Sequence, residues 1–101
     1  MLHLETTCPG SGVAKDIARA ALKRRLAACA HVEPEIVSLF HWQGAIKHET
    51  EIRLVLKTHE GRRDALIALI RDMHPYDLPV ITWHLVATTP DATEWLLEET
   101  R

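Results

Sequence analysis

Cysteine, glycine, phenylalanine and tyrosine are all scarce in this sequence, and neither sign of charge dominates it. The two cysteines, Cys8 and Cys29, lack the C-x-x-C spacing of zinc or dithiol redox sites, so they read as free thiols of a reducing compartment. A formal net charge of −2, with Lys and Arg spread along the chain, gives no field that would gather a polyanion. One Phe and one Tyr make a poor platform for stacking bases, which sets nucleic acid aside as a partner. The apolar runs are strand-length, and the amino end shows no basic region followed by an apolar stretch. Neither a membrane segment nor an export signal is expected, and the cytoplasm is the expected compartment.

What is present is ordinary for a globular chain: 101 residues, 47% hydrophobic and 26% charged, enough for one core and one domain over residues 1–101. The seven histidines are scattered and read mostly as surface or half-buried polar residues. Residues 2–7 read as a first strand, stopped at Cys8-Pro9-Gly10-Ser11-Gly12. A helix is predicted over residues 13–28, with Ala14, Ile17, Ala18, Ala21 and Leu22 on one stripe and Cys29 facing inward at its end.

Residues 36–42 are rich in β-branched and aromatic side chains and run into Gln43-Gly44, the first arm of a hairpin. The second arm alternates, with Ile46, His48, Thr50, Ile52, Leu54 and Leu56 on a buried face and Lys47, Glu49, Glu51, Arg53 and Lys57 on a wet one. Thr58 is placed to cap a second helix carrying Leu66, Leu69, Ile70 and Met73, which His74-Pro75 ends. Residues 80–87 read as a fourth strand. Thr89-Pro90-Asp91 opens a last helix that Trp95 and Leu96 should dock.

The order βαββαβ plus a C-terminal helix is the ferredoxin-like split β-α-β arrangement, an α+β sandwich of an antiparallel sheet with both main helices on one face. Its second hairpin arm, about 12 residues at about 3.3 Å each, outreaches a domain whose radius of gyration should be near 13 Å. The hairpin should therefore project, with Phe40, Trp42 and Ile46 near its tip, and further copies of the same chain are the expected cover.

The landmarks Thr6-Thr7-Cys8-Pro9, Arg25-Leu26-Ala27-Ala28-Cys29, Trp42-Gln43-Gly44-Ala45-Ile46, Leu56-Lys57-Thr58 and His74-Pro75-Tyr76-Asp77-Leu78-Pro79 occur in an order and spacing that resembles the CutA family. The resemblance covers nearly the whole chain. It implies a very stable homotrimer with a ferredoxin-like subunit, an architecture similar to PII signalling proteins, and a role in tolerance to copper and other divalent cations, with no established catalytic activity. The copper site it implies draws on a thiol near the end of strand one and on histidines before the Pro-Tyr element. Here Cys8 and His74 take those places, Met73 stands where some members carry a second histidine, and Thr6 aligns with the thiol position of some members.

The residues themselves offer several chemistries. Cys8, between a strand and a helix amino end, is placed for a lowered thiol pKa and for a soft or borderline metal. His74 and Tyr76 could edge a pocket stiffened by Pro75, and any further metal ligands must come from elsewhere, since no His-x-x-x-His or Cys-x-x-Cys pair is present. Lys57, Tyr76 and Asp77 are candidates for a small-ligand pocket, the PII-like alternative to metal binding, whose partner protein is unknown. Gly10-Ser11-Gly12 lacks the full phosphate-loop pattern. A catalytic reading would need Cys8, His31 or His74, and Asp77 to converge. The protein is accordingly expected not to be an enzyme.

Overall fold

The computed structural model describes residues 1–101. The first strand, β1 (Leu2–Cys8), alternates strictly: Leu2, Leu4, Thr6 and Cys8 are buried, while His3, Glu5 and Thr7 lie on the opposite, half-open face. Helix α1 (Ser11–Lys23) buries Ala14, Ile17, Ala18 and Ala21 as its stripe required. It stops five residues before the predicted end. Arg25 takes the left-handed conformation with φ 57, and two backbone bonds close the turn, Arg25 N–H to the Leu22 carbonyl and Leu26 N–H to the Ala21 carbonyl. That is the Schellman stop, made here without the glycine that usually announces it.

The freed residues do different work. Leu26 and Ala27 enter the core, and the chain turns into a short strand, β2 (Cys29–Val32), so Cys29 is a half-buried strand residue rather than the inward end of a helix. Strands β3 (Ile36–Trp42) and β4 (Ala45–Thr58) form the hairpin. Gln43 and Gly44, with φ 50 and 79, make its two-residue turn, and Trp42 pairs with Ala45 directly across it. Both β2 and β3 pair antiparallel with β4, at residues 54–57 and 45–51 respectively, so they form one edge path interrupted at Glu33-Pro34-Glu35.

Strand β4 ends at Thr58, which does not cap a helix: its hydroxyl is buried without a partner. A 3-10 turn (Glu60–Arg62) intervenes, in which His59 Nδ1 accepts the Gly61 N–H at 3.1 Å. A Cβ on Gly61 would meet that imidazole at 2.7 Å, so a larger residue here would displace the His59 ring. Helix α2 (Arg63–Met73) then buries Leu66, Leu69 and Ile70. Strand β5 is shorter than predicted, Thr82–Leu85, and α3 (Pro90–Glu99) docks through Leu96, leaving Trp95 largely exposed.

The antiparallel order is β2-β4-β1-β5, with β3 extending the β2 edge. Counting β2 and β3 as one interrupted strand, this is the expected split β-α-β arrangement. One core joins Leu4, Ile17, Leu26, Leu54, Leu56, Leu66 and Ile70, from both main helices and one face of the sheet. Each such buried side chain contributes about 1.5–3 kcal/mol by leaving water. No helix is long and apolar enough to cross a membrane.

The hairpin makes the molecule long, 46 Å by 24 Å by 22 Å. Strand β4 buries Ile52, Leu54 and Leu56 as the alternation requires, but Ile46, His48 and Thr50, assigned to the same buried face, are exposed, because the domain ends before they begin.

Candidate functional site

Where β4 leaves the core, four chemically capable side chains gather. Cys8, the last residue of β1, pairs in register with Ile52. His74 ends α2 with an extended backbone, ψ 133, the conformation that the following Pro75 favours. Its two ring nitrogens are both committed: Nδ1 accepts the Tyr76 N–H at 3.1 Å, which leaves Nε2 to donate to the Thr7 carbonyl at 2.8 Å. The His74 and Tyr76 rings lie 4.6 Å apart, and the Tyr76 hydroxyl donates to Glu51 Oε2 at 2.8 Å.

Glu51 is the functional residue that sequence reasoning missed. Strand alternation puts it on the wet face, yet it is only 5% exposed, adjoining the buried Ile52 at the point where β3 gives way to β2 along the edge. The signal available was indirect, a tyrosine in a proline-braced loop whose hydroxyl needs an acceptor.

The electrostatics follow from burial and from that carboxylate. Burial first, and then the Glu51 charge, push the Cys8 thiol up to about 11. The expected lowering by the helix amino end does not occur, because Cys8 faces the core. Tyr76 is likewise raised, by burial, then by its hydrogen bond to Glu51 and by the charges of Glu51, Glu49 and Cys8. As a donor set the group is closed, with a protonated thiol, an imidazole with no free lone pair and a phenol giving its proton to a carboxylate. No cluster of three or more His, Cys, Asp or Glu side chains has the proximity to hold a metal ion, so these residues do not fit copper as they stand.

Cys8, His74 and Tyr76 are therefore brought together, but not every candidate joins them. Asp77 is exposed and makes no hydrogen bond to the group. His31 lies on β2 opposite Val55, which leaves the Cys8, histidine and Asp77 trio unassembled. Lys57 is six residues from Glu51 along β4, about 20 Å at 3.3 Å per residue, so it shares no pocket with Tyr76. It sits instead on the sheet face turned away from the helices, lining a basin of about 530 Å³. At the hairpin, Phe40 and Trp42 are more than one-third exposed and Ile46 is 72% exposed.

Comparison with known proteins bears out the resemblance. The profile described as CutA1 divalent ion tolerance protein matches residues 2–99. The Protein CutA homolog of Xenopus laevis is 40% identical over 91 residues, covering 89% of this chain and 60% of its own length. The Divalent-cation tolerance protein CutA of Salmonella newport (strain SL254) is 38% identical over 73 residues, covering 72% of this chain and 64% of its own. The chain thus spans less than two-thirds of the length of either relative. The crystal structure of CutA from Xylella fastidiosa superimposes with a TM-score of 0.95 at 34% identity, covering 99% of this chain and 97% of that one, consistent with the ferredoxin-like reading. With its sheet order, its two-helix layer and nearly all of its residues matched, this chain belongs to the CutA1 divalent ion tolerance family.

Proposed function

We propose that this protein serves divalent-cation tolerance as a homotrimer, with copper or another divalent cation met by the assembly rather than by a closed site within one chain. The observation that carries the reading is the hairpin. Its outer half leaves Leu39 73% and Ile46 72% exposed, together with Val37, Phe40 and Trp42, on a two-stranded ribbon beyond its own core. Such ribbons are marginal in water alone, and a second and third copy would supply both edge pairing and apolar cover.

The copper half of the proposal meets a chemical barrier at Cys8 and His74. A thiol held up to about 11 surrenders its proton to a metal at neutral pH at a cost of about four decades in apparent affinity. The imidazole must also release the Thr7 carbonyl or the Tyr76 amide. The reading carries no catalytic step, no nucleic acid and no membrane, and it places the protein in the cytoplasm.

Sedimentation equilibrium at micromolar concentration tests the assembly. A mass of three chains is expected, and a stable monomer overturns the proposal. Calorimetry with copper and zinc on the protein and on Cys8→Ser plus His74→Ala tests the cation: unchanged binding in the variant removes these two residues, and absent binding removes the cation.

A further inference from the structure

Strand β4 passes from the body of the domain into the projecting ribbon with little beside it. On one edge β1 ends at Cys8, opposite Ile52, so Glu51 is the first residue of β4 without a β1 neighbour. On the other edge β2 pairs with residues 54–57 and β3 with residues 45–51, and the path between them is broken at Glu33-Pro34-Glu35. No neighbouring strand runs past this junction. The turn at Gln43-Gly44 lies about 23 Å beyond Glu51 at about 3.3 Å per residue, so a tilt of about 10° at the junction moves the turn by about 4 Å.

One side-chain contact spans the gap. The Tyr76 hydroxyl donates to Glu51 Oε2 at 2.8 Å, and no other side-chain hydrogen bond or ion pair joins residues 36–51 to the rest of the chain. Tyr76 is itself anchored in the body. Its N–H is accepted by His74 Nδ1 at 3.1 Å, and His74 Nε2 donates to the Thr7 carbonyl of β1 at 2.8 Å. Pro75 and Pro79 restrict the backbone of the same loop. Glu51 and His74 are both buried, which shields these bonds from competing water.

Resting on the homotrimer reading above, we propose that Tyr76 is a positioning residue for assembly. Its bond to Glu51 fixes the direction in which the hairpin leaves the domain and so presents the ribbon to further copies of the chain in one orientation. Docking then has less swing to restrict, and preorganisation of this kind strengthens association without adding a contact between subunits.

Hydrogen exchange of the intact protein, read peptide by peptide, tests the tie. In Tyr76→Phe the amides of residues 36–50 should exchange at least about tenfold faster while those of residues 54–57 keep their rates, because a lost tie loosens the ribbon whereas a merely destabilised subunit would speed both. Subunit exchange between isotope-labelled and unlabelled protein, followed by native mass spectrometry, should quicken by a similar factor. Adding Glu51→Ala to Tyr76→Phe removes the stranded carboxylate without restoring the tie, so both rates should stay high. Unaltered ribbon exchange in Tyr76→Phe, equal acceleration at residues 54–57, or a return to the original rates in the double variant would each overturn the positioning role while the trimer stands. A single-chain mass for the unsubstituted protein in the same spectra would overturn the homotrimer reading, and the assembly role with it.

Discussion

Residues 45–51 and 52–58 of β4 are one unbroken strand with one alternating pattern, yet they live in different surroundings. In the second half Ile52, Leu54 and Leu56 pack under both helices. In the first half Ile46, His48 and Thr50 occupy equivalent positions in the alternation and face solvent. The strand pattern is therefore a statement about side-chain direction, and it is silent about what stands opposite. At the junction, where Glu51 and Ile52 are both buried, the two environments meet at the Tyr76–Glu51 hydrogen bond.

Leu54→Ala should distinguish the halves most sharply. It leaves a void inside the chain's own core and should cost about 3 kcal/mol in urea unfolding, whereas Ile46→Ala should change a monomer's unfolding by less than about 0.5 kcal/mol. Equal costs would break the comparison. Ile46→Asp with Trp42→Asp should leave far-UV circular dichroism intact while lowering the sedimenting mass, because the charges fall only on the ribbon.

The junction is probed by Tyr76→Phe, which leaves the Glu51 carboxylate buried without its donor. A loss of about 1–3 kcal/mol is expected in thermal unfolding, and no loss would mean that water already replaces the phenol.

Cys8 gives a pH signature. The native thiol keeps its proton to about 11 while the thiol of the unfolded chain releases it near its ordinary value of 9.0, so the folded state binds more protons in that window. Stability should fall as pH rises from 9 to 11, and Cys8→Ala should remove that slope. At pH 8, iodoacetamide should reach the half-buried Cys29 well before Cys8, as peptide mapping would show. The smallest effect is at His3, whose folded pKa is depressed below 6.5. The unfolded imidazole takes its proton first, so stability declines as pH falls below about 6.5, and His3→Gln should lessen that decline.

The sequence made α1, the hairpin turn and the core face of β4 legible because each rests on local periodicity or turn chemistry. It hid the end of α1, because Arg25 occupies a left-handed position that glycine usually marks. It hid β2 as well, since four residues hold strand form only by pairing with β4. Cys8, His74 and Tyr76 could be named as candidates, and they do meet. Their chemistry could not be read, because the thiol is raised by burial in the packed core and then by Glu51, and the imidazole is committed in part to the Thr7 carbonyl, all set by segments distant in the chain.

By itself the sequence determined the element order, the inward stripes and the surplus length of one hairpin, all of which follow from backbone periods of 3.6 and 2 and from strand rise. Only the tertiary structure decided which polar groups are dry. Burial and charge proximity are properties of the packed chain, so the buried Cys8 thiol beside Glu51 and the row of Lys57, His3 and His84 emerge only when β1, β4 and β5 lie side by side.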